Sequence, residues 1–287
     1  MYPQFPRRRP VLLCILALCC IGSAKSAHAA SVWKVTGPNG GVLYLGGSMH
    51  GLDRTDYPLP SAYNRAFDLS SRIVFEDDES ASPSKIRSFL KSQEYPKHDN
   101  LKNHIDPRVY DYLRRIFALA HISEAELSKL RPWALVMAFA STGTNSLGVE
   151  SYLTQRAKAN RKPIEGLESF REHVEIISGL NDHQAQLVLL AGFIPQAPGT
   201  DKRKAIMSQW RAGNVDAIAR DMRNDYTDLP SFYQRLIVDR NRNWVPKIEH
   251  YLQGRSPSFV VAGAGHMGGP EGVLAMLKAR GCRIEEL

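Results

Sequence analysis

Short apolar runs rich in β-branched residues occur near both ends of the chain, and they predict strands. The predicted strands are residues 32–35, 41–45, 72–75, 162–164, 258–262 and 283–284. The first two are separated by the turn sequence Gly37-Pro-Asn-Gly40 and therefore predict a β-hairpin.

The long interval between these runs has apolar positions spaced three and four residues apart, which is typical of helices. The predicted helices are residues 60–69, 83–92, 107–118, 123–130, 132–141, 148–160, 169–252 with breaks at 195–200 and 229–230, and 270–280. Ser123 and Glu126 form a capping-box pattern, and Gly281 follows the last helix as a C-terminal stop signal. The order of elements predicts an α/β (α+β) fold, with a central mixed sheet built from strands near both ends of the mature chain and a large helical middle.

The first 29 residues have the pattern of a secretory signal peptide. A basic triplet at Arg7–Arg9 precedes an apolar stretch at residues 11–22 and the small-x-small sequence Ala27-His-Ala29. The apolar stretch is shorter than the roughly 18 residues that a membrane span requires. We therefore predict cleavage after Ala29 and export of a single domain, residues 30–287, to a periplasm or the cell exterior, with no membrane span left.

Composition narrows the classes of function. The formal net charge of +8 falls after the predicted cleavage, because the removed segment carries basic residues and no acidic one. The remaining excess is small, and there is no dense Lys/Arg stripe with interleaved aromatic residues, so nucleic acid is not an expected partner. Cys282 is the single cysteine left, so the mature fold cannot depend on an internal disulfide. Its position near the C-terminus indicates a structural role.

Two segments repeat one pattern, Gly47-Ser-Met-His50 and Gly263-Ala-Gly-His266. Each follows an apolar run, so each predicts a strand that stops at glycine and presents a histidine just past its end. Glycine permits a sharp turn or a close approach to a ligand, and neutral imidazole is the commonest metal-binding side chain. Two such segments in one chain predict a site to which both contribute.

Glu76 and Glu168 also follow predicted strands, so that four polar residues lie past strand ends. In open α/β sheets, ligands bind in the crevice beyond the carboxyl ends of the strands, so we expect the four to converge. Two imidazoles with one or two carboxylates suit Zn²⁺, Mn²⁺, Co²⁺ or Fe²⁺. An open coordination position would hold an acidified water, and a carboxylate that does not bind the metal could act as general base. Taken singly, each residue also has a structural explanation.

Two other motif matches are set aside. Gly263 to Gly268 matches G-x-G-x-x-G, but the chain ends too soon for the βαβ unit and the acidic partner of a dinucleotide site. Gly46 to His50 resembles a nucleophile elbow, but His50 stands where the elbow requires glycine. Ser48 is therefore interpreted as packing in the turn or as touching a bound substrate.

At these residues the chain resembles the TraB/GumN family, to which the Tiki metalloproteases are related. The resemblance covers nearly the whole mature chain and combines the two Gly-x-x-His segments with an intervening glutamate. Its further motifs are Trp33, Tyr44-Leu-Gly46, Arg131-Pro-Trp133, Gly148-Val-Glu150, Lys162-Pro-Ile-Glu-Gly-Leu-Glu168, Trp210-x-x-Gly213, Arg240-Asn241 and Gly269-Pro-Glu-Gly272. Glu150 stands where aspartate is expected, and no role is assigned to it.

The resemblance implies a fold related to haem-uptake (ChaN-like) and erythromycin-esterase-like proteins. It also implies a divalent-metal-dependent hydrolase, a peptidase, with Mn²⁺ or Co²⁺ favoured over Zn²⁺. The resemblance implies that His50, His266 and Glu76 are metal ligands. It also implies that these three residues and Glu168 are catalytic. Arg240 is expected to hold a substrate carboxylate or oxyanion.

Two alternatives stay open at this stage. One is a non-catalytic binder of a peptide or small molecule in the same crevice. The other is a metal-independent esterase of the erythromycin-esterase type, in which a histidine acts as base on water. The other histidines are interpreted as background: His28, His98, His104, His121, His173, His183 and His250.

Overall fold

The computed structural model describes residues 30–77, 88–89, 91, 93–119, 121–142, 148–193 and 201–287. The predicted signal peptide, residues 1–29, lies outside the described residues, as does most of the helix predicted at 83–92. Within the described ranges, no helix has the length and apolar character needed to cross a membrane.

A six-stranded mixed sheet forms the centre of the protein. Its strands are β1 (Val32–Thr36), β2 (Val42–Ser48), β3 (Arg72–Asp77), β4 (Ile164–Glu168), β5 (Ser258–Gly263) and β6 (Arg283–Glu286). They lie in the order β4-β3-β5-β2-β1-β6. Strands β4, β3, β5 and β2 are parallel, whereas β1 is antiparallel to both β2 and β6. The predicted α/β fold with a mixed sheet is confirmed, including the short last strand.

Strand β5 lies between β3 and β2. Its residues Phe259–Ala262 are almost completely buried. A continuous apolar run of this kind is typical of a parallel strand that is covered on both faces, because neither face meets solvent. The last long apolar run of the chain thus becomes a central strand.

Helices surround the sheet and fill the middle of the chain. They are α1 (Ser61–Asp68), α2 (Pro107–Leu119), α3 (Glu124–Leu127), α4 (Pro132–Thr142), α5 (Val149–Ala159), α6 (Phe170–Ser178), α7 (Asp182–Phe193), α8 (Lys202–Arg211), α9 (Val215–Asp225), α10 (Pro230–Tyr233), α11 (Arg240–Leu252) and α12 (Val273–Ala279). A π-helical stretch, Gln234–Asp239, joins α10 to α11. The capping box predicted at Ser123 and Glu126 is present at the start of α3.

The apolar side chains form two main clusters. The larger one joins the sheet to α1, α5, α8, α9, α11 and α12. The second is formed mainly by α2, α3, α4, α6, α7 and α10, with Leu113, Leu127 and Leu135 fully buried. The helical middle predicted from periodicity therefore has a hydrophobic core of its own.

The loop after β5 differs from the prediction. The last helix begins at Val273, three residues later than expected. Gly269 has a positive φ of 78°, and a Cβ on Gly272 would lie 2.2 Å from the carbonyl oxygen of Gly268. The chain folds back on itself at this point, and so it cannot be helical from Pro270 onward.

The glycines of the first motif permit close packing at the end of β2. A Cβ on Gly46 would lie 2.9 Å from the ring of Phe259 on β5. The carbonyl oxygen of Gly47 accepts hydrogen bonds from the Tyr63 hydroxyl at 2.6 Å and from the Trp210 indole N–H at 2.8 Å. Helices α1 and α8 thereby hold the end of β2, whose last residue is Ser48.

Candidate functional site

Four parallel strands end at the same edge of the sheet, as the sequence predicts. Ser48 of β2 lies opposite Gly263 of β5, and Asp77 of β3 lies opposite Glu168 of β4. Because of this register, Glu76 near the end of β3 reaches the end of β5, where its Oε1 accepts a hydrogen bond from the backbone N–H of Gly263 at 2.7 Å.

The guanidinium of Arg240 lies at the centre of the polar groups at this edge. Its Nη2 donates to Glu76 Oε2 at 2.5 Å and to Glu168 Oε1 at 2.6 Å, and its Nε donates to Glu168 Oε2 at 3.1 Å. Its Nη1 approaches Nε2 of His266 at 3.2 Å. The Arg240 side chain is only 7% exposed. One buried cation therefore bridges the carboxylates that strands β3 and β4 deliver, Glu168 buried and Glu76 partly buried.

Helix α11 supplies more of this cluster. Trp244, one turn after Arg240, donates its indole N–H to Glu168 Oε2 at 3.1 Å. The guanidinium carbon of Arg240 lies 4.4 Å from the centre of the Trp244 ring, a cation–π arrangement. The π-helical stretch directly precedes Arg240, and such stretches are frequent at functional sites because the wider turn shifts the residues that follow.

The two bridged glutamates are held in their charged form. Burial alone would raise the pKa of Glu76, but the charge of Arg240 and the hydrogen bonds from Arg240 and the Gly263 N–H outweigh burial and hold that pKa well below its usual value. Burial opposes ionisation of Glu168 too, yet its hydrogen bonds with His173 and Arg240 lower its pKa. His173 Nδ1 lies 2.7 Å from Glu168 Oε1.

His266 is buried and has partners at both ring nitrogens. Its Nδ1 lies 2.7 Å from Oδ1 of Asn241, and its Nε2 faces Arg240. Burial lowers its pKa to about 4, with Arg240 contributing to the same direction. Nε2 of His266 is 4.0 Å from Glu76 Oε1. The imidazole is therefore neutral near pH 7.

A cavity of about 220 Å³ opens beside the Arg240 cluster. Its lining residues are His50, Phe75, Glu76, Asp77, Glu150 and His173. Imidazole and carboxylate groups from four separate parts of the chain thus face one small space.

Glu150, in the first turn of α5, is an acid of this cavity whose pKa is raised. Burial and the nearby charge of Glu76 raise its pKa to about 7. Its Oε1 is buried without a hydrogen-bond partner among the described residues. The Ser48 hydroxyl interacts with the same carboxyl group and opposes the rise of its pKa. A carboxyl group with an unengaged oxygen and a pKa near neutrality can accept and release a proton at physiological pH.

The structure brings the predicted residues to one edge of the sheet but in two groups. His266, Glu168 and Arg240 belong to the buried cluster. His50 is exposed and lines the cavity, while Glu76 belongs to both groups. The roles assigned to these residues and to Ser48 stay predictions.

The interpretation of His173 as background was wrong, because this residue lies in the site. It is in the first turn of α6, after a capping box formed by Ser169 and Glu172. Glu150, Asn241 and Trp244 are further site residues without a predicted role. For His173 a sequence signal existed: it lies one helical turn beyond a strand end, where a helix begins over the crevice.

Three of these residues could hold a metal ion. Glu76, Glu168 and His173 each offer one ligand atom, and these atoms lie within 4.8 Å of one another. The set shares Glu76 with the predicted ligands, whereas both nitrogens of His266 are engaged by Asn241 and Arg240.

The mixed sheet defines an α/β protein with a crevice of carboxylate and imidazole groups at the parallel edge of the sheet. The chain belongs to the TraB/PrgY/gumN family, whose sequence profile matches residues 31–286. The predicted resemblance is confirmed by this match.

Similar proteins come from distant organisms. An uncharacterized protein of Treponema pallidum is 23% identical over 304 residues, covering 94% of this chain and 90% of that protein. Metalloprotease TIKI2 of Danio rerio is 22% identical over 351 residues, covering 96% and 67%. The uncharacterized protein YbaP of Escherichia coli is 25% identical over 251 residues, covering 85% and 90%. No solved structure matches the chain.

Proposed function

We propose that the protein is a hydrolase that cleaves peptide bonds in the cavity between His50, Glu76, Glu150 and His173, with a divalent metal ion as cofactor. The observation that carries the proposal is Glu150, a carboxyl group with an unpartnered oxygen and a pKa raised to about 7 among other acid–base groups. The similarity to a protein named as a metalloprotease supports the peptidase reaction.

The donors of the cavity fit a divalent ion. Carboxylate oxygen and imidazole nitrogen are the ligand types that Mn²⁺, Co²⁺ and Zn²⁺ accept, and Glu76, Asp77 and Glu150 give the cavity an excess of negative charge. Glu76, His50 and His173 would hold the ion. When bound, the ion would polarise the scissile carbonyl group and acidify a water molecule.

Side chains of the protein supply the other catalytic and positioning roles. Glu150 acts as general base, because its unpartnered Oε1 can take a proton from the attacking water and pass it to the leaving amine. Arg240 keeps Glu76 ionised and fixed through the hydrogen bond at 2.5 Å. Glu168 holds Arg240 from the opposite side with two further hydrogen bonds.

The test is peptide cleavage by the purified protein, combined with metal analysis. We expect cleavage that chelation abolishes and Mn²⁺ or Co²⁺ restores. Glu150→Gln should reduce the turnover rate by about 10²-fold or more, because a positioned general base contributes this much. The matched control is Glu175→Gln, at an exposed position of α6, which should retain activity. Full cleavage by Glu150→Gln would contradict the role of this residue.

A metal-independent esterase is the second candidate, and one observation favours it. Arg240 already provides a cation between Glu76 and Glu168, so the buried cluster is stabilised without an ion. In that mechanism His50, exposed at the cavity, would act as base on water. Hydrolysis of ester substrates that persists after chelation would favour this candidate, and no turnover of any peptide or ester would favour ligand binding alone.

We also infer that the protein is exported, to a periplasm or the cell exterior. The inference rests on the signal-peptide pattern of residues 1–29. N-terminal sequencing of the protein recovered from fractionated cells should give Ala30 as the first residue. An intact N-terminus in the cytoplasmic fraction would contradict export.

A further inference from the structure

Every N–H group of the Arg240 guanidinium points at an acceptor within the protein. Nε and one N–H of Nη2 bind the carboxylate of Glu168, and the other N–H of Nη2 binds Glu76. The two N–H groups of Nη1 face Nε2 of His266, with Nη1 and Nε2 3.2 Å apart, and the carbonyl oxygen of Leu236, 3.4 Å from Nη1. Arginine has five such donors and no acceptor, so this set is complete.

The contact of Arg240 with His266 indicates where the proton of that ring lies, and the shorter contact of His266 with Asn241 holds it there. Because arginine can only donate, Nε2 must offer its lone pair to Nη1. The ring proton of neutral His266 must then lie on Nδ1, which faces Oδ1 of Asn241 at 2.7 Å. Which nitrogen of a histidine carries the proton is generally decided by the partner of the other nitrogen.

Asn241 is itself held in one orientation. Its side chain is fully buried, and its Nδ2 donates to the carbonyl oxygen of Glu271 at 2.8 Å and to that of His266 at 3.3 Å. Both of these partners are acceptors, so the amide nitrogen must face them and the amide oxygen must face the imidazole. The same side chain thus ties the loop after β5 to the start of α11.

We propose that Asn241 is a positioning residue that sets the tautomer of His266, and that His266 in turn orients Arg240 toward Glu76. The second Gly-x-x-His segment then serves the guanidinium, and His266 receives a hydrogen bond instead of binding an ion. The importance of this arrangement for catalysis rests on the proposed function, since Glu76 lines the proposed reaction cavity. The tautomer itself does not depend on any activity.

The test is ¹⁵N NMR spectroscopy of the full protein labelled at histidine. At pH 7 we expect a neutral histidine protonated at Nδ1, the less common tautomer, whose signals disappear in His266→Gln and remain in His173→Gln. Asn241→Ala should abolish this tautomer, whereas Asn243→Ala, at an exposed position of the same helix, should retain it. Circular dichroism checks that each variant is folded.

Two results would overturn the proposal. One is a wild-type His266 that carries its proton on Nε2, or on both nitrogens, at pH 7. The other is a change at Nε2 on addition of Zn²⁺, which would identify His266 as a metal ligand. Both measurements use the wild-type protein, so they decide the matter even if Asn241→Ala does not fold.

A kinetic comparison separates this proposal from the proposed function. If peptides are cleaved, Asn241→Ala should lower kcat by about 10-fold or more with KM within about twofold, because it disturbs orientation and not substrate contact. Unchanged kcat together with a lost tautomer would refute the catalytic importance of the arrangement. If no substrate is cleaved by the wild type, the proposed function fails while the tautomer result stands.

Discussion

Replacing Glu150 with glutamine removes a carboxyl group that the folded protein holds in unfavourable surroundings. Burial and the charge of Glu76 raise its pKa from 4.5 to about 7. The folded protein therefore binds this proton more tightly than the unfolded chain does. The stabilisation is fully present below pH 4.5 and is lost as the pH rises to about 7.

The size of the effect follows from the two pKa values. Each pH unit between them corresponds to about 1.4 kcal/mol. Between pH 5 and pH 8, Glu150 should therefore lower the free energy of unfolding of the wild-type protein by roughly 2.5 kcal/mol. Glutamine is similar in size and does not titrate, so the Glu150→Gln variant should lack this part of the pH dependence.

Urea unfolding at pH 5 and pH 8 measures the effect. The quantity to compare is the change in unfolding free energy between the two pH values, because all other titrating groups contribute to it in both proteins. Glu175→Gln is the control, since its exposed ion pair with Arg171 should contribute little. An equal change for wild type and Glu150→Gln would refute the assignment of a raised pKa to this carboxyl group.

Three further predictions concern other parts of the molecule. Arg240→Met should lower the free energy of unfolding by about 3–5 kcal/mol, because it removes the cation that pairs with both Glu76 and Glu168. A loss below about 1 kcal/mol in urea unfolding would contradict the bridging role. The ring nitrogens of His104 lie 2.8 Å from Asp99 and from Asp182, and hydrogen bonding to these aspartates raises its pKa. The folded protein is therefore stabilised by protonated His104 below pH 6.5, and this stabilisation is lost as the pH rises through the raised pKa. His104→Gln should accordingly destabilise the protein more at pH 6 than at pH 9, and equal losses at both would speak against it. Gly268→Ala would place a Cβ 2.2 Å from the carbonyl oxygen of Val215. It should therefore lower the free energy of unfolding by about 2 kcal/mol, and an unchanged Tm would exclude this close contact.

The strand ends could be predicted from sequence because they depend on local patterns. The apolar runs before Gly47 and Gly263 are short, β-branched and bounded by glycine, so they indicate strands without knowledge of their neighbours. The crevice follows from the general geometry of parallel strands. For this reason the sequence pattern is sufficient to predict that His50, Glu76, Glu168 and His266 lie at one edge of the sheet.

The division of these residues into a buried cluster and a cavity could not be predicted. It depends on the register between β3 and β5, which brings Glu76 to the N–H of Gly263, and on the direction from which α11 delivers Arg240. A π-helical stretch shifts the residues that follow it, and no sequence pattern indicated one here. His173 and Glu150 are on helices that start next to the crevice, so their approach is likewise set by tertiary packing.

The position of β5 has a consequence for how the protein is made. This strand belongs to the last tenth of the chain, yet it pairs with β3 on one side and β2 on the other. Until it has been synthesised, β3 is paired with β4 alone and β2 with β1 alone, so each would expose one unprotected strand edge. The centre of the sheet can therefore be completed only after the last tenth of the chain has been synthesised.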